Sequence, residues 1–343
     1  MKRTLPLASI LFGLSGVVAS SIACGGSTGD SSSPLVEAPD GSSESGGGDV
    51  APLDDSFVVV DSSSLDDTRA DDTGKAKDAL VDTKPPVDAP TGPFDPRTWS
   101  PTGKGLWIWY FAYTGLTPAQ AAIKAHDAGV GYVLIKSGQD ASFWSTRYTA
   151  DVLKEFTSRG MHVFAWPYVT PADVPGSITA IVQAIDTPGT DGIILDVETE
   201  FETAANRATA AKDLCTGIRA KRPKVWLGFT SFGWPQYHTG FPWAEFDAHC
   251  GDVWMPQTYW SDRGVSWTKG YDETVSGTKT VGIKAPMWMI QSNDDIAGGG
   301  APTTTDLNLF FDKAGPKSML WELPAAGLTS KLSQLPSLHW KNP

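Results

Sequence analysis

Apolar runs rich in β-branched and aromatic residues recur about every thirty residues through the last two-thirds of the chain. They are Gly105–Phe111, Gly131–Ser137, Met161–Val169, Gly192–Glu198, Val225–Phe232, Asp252–Trp260, Ala285–Ser292 and Ser318–Pro324. Most gaps carry a helical period: Thr117–Ala128, Ala150–Arg159, Ile178–Ile185, Ala204–Lys221, Trp243–His249 and Thr304–Ala314, with a weaker helical stretch over Ser266–Ser276. Thr117-Pro118 supplies a cap and a first-turn proline for the first of these helices. Eight strands alternating with helices predict a single (β/α)8 TIM barrel from residue 96 to 343. A doubly wound open sheet is the alternative. No glycine-rich phosphate loop follows the first run, so dinucleotide binding has no support.

Upstream of the barrel the pattern breaks down. All 14 Trp and all 8 Tyr lie at or after Trp99. Between Gly25 and Asp95 stand 16 acidic and 4 basic residues amid Ser, Gly and Pro, so this stretch accounts for the net charge of −12. It holds too little apolar surface to offset chain entropy and is expected to be a disordered linker, extended by its own charge. From Pro96 on, 23 acidic and 21 basic residues leave the folded part nearly neutral, which argues against a nucleic-acid surface.

The first 23 residues read as a secretory signal: Lys2 and Arg3, an apolar run from Leu5 to Val18, then small residues. Ser21-Ile22-Ala23-Cys24 resembles a bacterial lipobox. The resemblance implies a lipid on Cys24 and membrane attachment through it. Gly25, rather than Asp, after the cysteine points within that family to the outer membrane. Residues 24–95 would then tether the barrel. Two cysteines remain, and in an exported protein Cys215 and Cys250 suggest one disulfide, two separate buried thiols being the alternative.

Barrel chemistry sits where strands end. The fourth run reads Asp191-Gly192-Ile193-Ile194-Leu195-Asp196-Val197-Glu198. Strand alternation puts Ile194, Asp196 and Glu198 on one face and three aliphatic residues on the other, so Asp196 and Glu198 should point inward at the mouth. Two close carboxyls resist ionising together, which raises one pKa and keeps a proton available for a leaving oxygen. Helix capping or pairing with a basic residue is the structural alternative, and Glu200 and Glu202 are expected either to do that or to face solvent. Met255, Gln257 and Tyr259 share one face of the sixth run, and Gln291 closes the seventh. These amides either line the same mouth or satisfy loop backbone. Trp109, Trp166, Trp260, Trp288 and Trp321 lie on or at the ends of strands, where indoles either stack on sugar faces or fill the core.

The acidic run Asp191-Gly192-x-x-x-Asp196-x-Glu198 resembles that of the family 18 chitinases. Met255–Tyr259 is similar to their Met-x-Tyr strand, and Gly315–Trp321 to their eighth strand. The resemblance implies Glu198 as acid, Asp196 orienting an acetamido group that serves as nucleophile, and Trp321 as sugar platform. A second resemblance is to the family 25 muramidases, carried by Gly131–Gly138, Gly160–Trp166 and Asp196-Val197-Glu198. Ile194 stands where the chitinases carry a further Asp, and Leu106–Tyr110 lacks the acid of the muramidase first strand.

No His pair has zinc-ligand spacing and no Gly-x-Ser-x-Gly elbow occurs, so no metal and no cofactor are expected. Asp294 and Asp295 are the rival second carboxylates. The expected activity is hydrolysis, with retention, of a polysaccharide containing N-acetylhexosamine (peptidoglycan or a chitin-like polymer) by a monomeric envelope lipoprotein. Glu198 and Asp196 would be catalytic, and Gln257, Tyr259, Trp321, Trp109 and Gln291 would bind the glycan. A non-catalytic glycan-binding or scaffold barrel is the alternative.

Overall fold

The computed structural model describes residues 94–293, 300–323 and 335–338. The expected signal, Cys24, the expected linker as far as residue 93, Asp294, Asp295 and the end of the eighth run at Pro324 lie outside them.

Nine strands form one sheet: β1 Lys104–Ile108, β2 Val130–Gln139, β3 Ser142–Phe143, β4 His162–Tyr168, β5 Gly192–Asp196, β6 Leu227–Phe232, β7 Trp254–Gln257, β8 Met289–Ser292 and β9 Ser318–Trp321. Eight are parallel, and the sheet closes because β1 pairs with both β2 and β9. The short β3 turns back antiparallel on β2. The chain is therefore a closed (β/α)8 barrel, and all eight apolar runs became its staves.

The helices are α1 Phe111–Thr114, α2 Pro118–Asp127, α3 Ala150–Thr157, α4 Val174–Asp186, α5 Thr199–Thr203, α6 Arg207–Lys221, α7 Trp243–Cys250, α8 Trp267–Val281 and α9 Thr304–Ala314. Local chemistry sets their starts. Thr117 and Gln120 form a reciprocal capping box on α2. Thr149, Ser266 and Thr303 cap α3, α8 and α9. α4 begins before the expected Ile178, because Asp173 caps it and Pro175 fits the first turn. The expected helix Ala204–Lys221 is interrupted: Ala204 ends α5 in an extended conformation, and α6 restarts at Arg207. The weak stretch after the sixth run is a full 15-residue helix. Cys215 on α6 and Cys250 on α7 are joined by a disulfide, with Cα atoms 5.4 Å apart.

Two apolar layers follow from strand alternation. Between strands and helices lie Leu106, Ile108, Val133, Ile135, Val163, Ile193, Leu195, Val197 and Phe229 with the helix faces. Inside the barrel lie Trp107, Tyr132, Leu134, Phe164, Trp166, Ile194, Trp226, Met255, Trp288 and Met319. This interior is unusually aromatic, and it is filled by leaving side chains off neighbouring positions. A Cβ on Gly105 would sit 2.3 Å from the Tyr132 ring, and one on Gly192 would sit 2.8 Å from Trp226. Phe94 and Trp99 close the lower end. Trp99 packs edge-on to Tyr132 at 5.4 Å, and Phe94 stacks on His162 at 3.6 Å. The folded unit thus starts slightly before Pro96.

Candidate active site

Asp196 is the last residue of β5, and Glu198 follows two residues on, before α5. Ile194, on the same face, lies in the inner cluster. Both carboxyls therefore enter the barrel at its C-terminal end, where they are 6% and 5% exposed. Glu198 occupies the N-cap position of α5, yet its side chain makes no cap bond. Instead Gln257, at the end of β7, spans the pair. Its Nε2 donates to Asp196 Oδ1 at 3.1 Å and to Glu198 Oε1 at 2.8 Å. One amide thus bonds two acids from the next strand but one, across β6.

Burial pushes the Asp196 carboxyl well above the usual carboxylate range, and the neighbouring Glu198 charge adds to this, while Lys136 opposes it. Burial likewise pushes Glu198 up to about 7. The Gln257 hydrogen bond pulls against that, Glu200 pushes further, and Asp196 and Lys136 pull back. Two buried carboxyls this close do not readily ionise together, which favours keeping a proton on the pair.

The surrounding wall is aromatic. Trp321, at the end of β9, lies 5.6 Å from Trp107, 5.5 Å from Trp166 and 6.4 Å from Trp109, so four indoles floor the mouth. Trp109 and Trp321 are half-buried, whereas Trp166 is enclosed and donates Nε1–H to Ile108 O. Tyr110 stacks on Trp144 at the rim, at 5.0 Å. Tyr259 lies in the inner cluster with φ of +32°, a left-handed conformation uncommon for an aromatic residue.

Several residues sit away from the pair. Gln291 faces the strand–helix layer, opposite in direction to its inward neighbour Ile290. Its Oε1 accepts from Trp260 N at 3.0 Å, and its Nε2 donates to Ser261 Oγ at 2.9 Å and Ser292 O at 2.8 Å. It holds loop backbone and does not line the mouth. Trp260 packs in the outer layer, and Trp288 fills the lower interior. Glu200 accepts the Tyr168 hydroxyl at 2.7 Å, and Glu202 pairs with His238 Nδ1 at 2.9 Å, so neither caps α5 through its side chain.

Lys136 and Tyr168 belong to the site although sequence reasoning gave them no role. Lys136 is 7% exposed on β2, and its Nζ lies 4.9 Å from the centroid of Trp166, 5.1 Å from Trp109 and 5.2 Å from Trp144. The legible signal was a lysine on the inward alternation Tyr132, Leu134, Lys136 of an otherwise apolar strand. Among the described residues no group of three metal-ligating side chains occurs. A cavity of about 540 Å³ lined by Arg97, Asp191 and Trp226 opens at the opposite, N-terminal end of the barrel. In this fold that end serves stability rather than chemistry.

Comparison with known proteins gives likeness of fold. A chitinase domain from Pyrococcus furiosus is 13% identical with a TM-score of 0.48, over 66% of this chain and 86% of that one. The catalytic domain of a family GH18 chitinase from the fern Peteris ryukyuensis is 11% identical with a TM-score of 0.46, over 68% and 99%. The Bacillus cereus spore cortex-lytic enzyme SleL is 14% identical with a TM-score of 0.42, over 56% of this chain, and the match spans half of SleL's length. No protein-family model and no curated protein matches the chain. The fold itself, a TIM barrel, is given by the closed ring of eight parallel strands.

Proposed function

We propose that the protein is a glycoside hydrolase acting on glycans that contain N-acetylhexosamine, with peptidoglycan ahead of chitin. The observation that carries this is the buried Asp196–Glu198 pair at the C-terminal mouth, spanned by Gln257, with Glu198 pushed up to about 7. A carboxyl that keeps its proton near neutrality can protonate a leaving glycosidic oxygen. In the proposed reaction Glu198 gives its proton to that oxygen as the bond to C1 breaks. The substrate's acetamido oxygen attacks C1 from the other face, and Asp196 accepts the acetamido N–H. Water then attacks C1, yields its proton to Glu198, and leaves the sugar with its original configuration. Gln257 holds the acids, Tyr259 assists the acetamido group, and Trp321 and Trp109 carry the sugar faces.

The test is release of reducing ends from peptidoglycan, chitin oligomers and a neutral glucan, with Glu198→Gln alongside. Cleavage of the first two that the variant loses supports the reading. Inversion of configuration would overturn the assisted mechanism.

A second reading, a barrel that binds glycan without cutting it, is favoured by the near-complete burial of both carboxyls and by the absence of an acid in Leu106–Ile108. It predicts capture of a polymer by both forms with no bond cut. The proposal also takes Cys24 as the lipidated residue of an outer-membrane protein. Incorporation of labelled palmitate into the full chain, abolished in Cys24→Ser, tests that part.

A further inference from the structure

Lys136 is a charged side chain held inside the barrel mouth among aromatic rings. Five surround its Nζ: Trp166 at 4.9 Å, Trp109 at 5.1 Å, Trp144 at 5.2 Å, Tyr110 at 5.7 Å and Tyr168 at 5.9 Å. They come from three neighbouring parts of the fold, namely β1 with the turn after it, the β2–β3 hairpin and β4. Trp144 is tied back to β2 by its backbone N–H, which donates to Ser137 O at 3.0 Å. Aromatic faces stabilise an ammonium without neutralising it or taking its proton. A cage of this kind keeps the positive charge in place and leaves its field to act on whatever lies nearby.

What lies nearby is the acid pair. Register sets Lys136 of β2 beside Trp166 of β4 and Tyr168 of β4 beside Asp196 of β5, and the Lys136 Nζ lies 5.9 Å from the Tyr168 ring, so the buried ammonium and the buried carboxyls share the same end of the barrel with Tyr168 common to both. The groups facing the pair are Lys136 from β2, Tyr168 from β4, Glu200 from α5, and Gln257 and Tyr259 from β7 and its loop. β6 presents the uncharged Thr230. Lys136 itself faces Tyr110 and Tyr168, and Arg147 lies behind on the outer faces of Tyr110 and Trp144 at 5.3 and 5.5 Å. The Lys136 ammonium offsets part of the negative charge that Asp196, Glu198 and Glu200 bring to this buried site, where uncompensated charge is costly.

We propose that Lys136 is a positioning residue that fixes the Asp196–Glu198 pair in its singly protonated form, acting through the field of a charge clamped by five aromatic rings. The proposal rests on the hydrolase reading only in that this pair is the reacting centre. In the double step, one proton must leave Glu198 and return to it. An ammonium beside the pair keeps the second proton off, so the pair has a base form to regenerate. The field of Lys136 lowers both acids.

The experiment is a titration of the full chain, labelled with carbon-13 at Asp and Glu carboxyls, as wild type, Lys136→Met and Lys136→Arg. Methionine keeps a flexible chain that packs favourably among aromatic rings, which protects the fold. The ionisation of the pair should move up by about one unit or more in K136M, as expected for loss of a nearby opposite charge, and return towards wild type in K136R. Should K136M not fold, Lys136→Gln is titrated in its place. If the protein cuts glycan, the pH profile of kcat/KM should move alkaline with KM for a neutral chitin oligomer unchanged. An unmoved titration in a folded K136M or K136Q overturns the proposal. So does a raised KM with an unmoved titration, which would make Lys136 a substrate contact. Because the titration needs no turnover, an inactive barrel would sink the hydrolase reading and leave this result standing.

Discussion

At Glu198 stability and chemistry pull in opposite directions. Burial raises both carboxyl pKa values above those of the unfolded chain, so the folded state binds more protons. For Glu198, stability from this source is fully present below about pH 4, the unfolded carboxyl range, and is lost as pH rises through about 7. Glu198→Gln removes the penalty, so its melting temperature relative to wild type should climb between pH 4.5 and pH 8, read by calorimetry. The same substitution should cut hydrolysis by about 10²–10⁴-fold, the usual worth of a general acid. Wild-type activity should decline as pH rises past about 7, where Glu198 loses its proton. Gln257→Leu should shift that decline to higher pH, because the amide hydrogen bond is what pulls Glu198 down. The inward direction of these acids was legible from alternation. The caging of Lys136 was not, since the rings come from segments as far apart as Trp109 and Tyr168.

Among the elements, the helices differ in how strongly local sequence specifies them. α2 carries its own start signal in Thr117, Pro118 and Gln120, and Thr117→Ala should cost about 1 kcal/mol in urea unfolding. α8 holds Gly270 and Gly277 within it, which lowers its intrinsic helix propensity. Tertiary packing supplies what propensity does not: a Cβ on Gly270 would lie 2.2 Å from Trp260, so only glycine lets the helix sit this close to the β7 loop. The α6–α7 pair is stapled by Cys215–Cys250 across 35 residues. Replacing both cysteines with alanine should lower stability by about 3–4 kcal/mol on a loop-closure basis, read from the denaturant midpoint.

Across the folded unit the barrel is a stack of filled layers, closed at the N-terminal end of its strands by Phe94 and Trp99 and carrying the acid pair and its indoles at the other. Phe94 and Trp99 form the lower closure, and Arg97 ties that segment to Asp252 at 3.0 Å and to Val225 O at 2.9 Å. A chain beginning at Thr102 would expose the undersides of Tyr132 and Trp288 and should unfold with about 3 kcal/mol less stability, in line with loss of a buried aromatic side chain. Its carboxylate end, built on other strand termini, should keep the proposed glycan affinity while the barrel stays folded. Tryptophan-fluorescence binding at low denaturant checks this.

The strand–helix alternation followed from period and spacing, because each strand must bury an aliphatic face against a helix, whereas closure, which an open sheet of the same alternation would lack, was decided by the pairing of β1 with both β2 and β9. Alternation along β5 likewise determined that Asp196 and Glu198 share the inner face. The direction of Gln291 needed the tertiary structure, since a buried amide goes wherever donors and acceptors await it, and here those are Trp260 N, Ser261 Oγ and Ser292 O. Which tryptophans floor the mouth and which fill the core was also a tertiary outcome. An indole stacks or packs according to the neighbours that distant strands bring, and those neighbours are set by closure of the barrel, not by the order of residues along one strand.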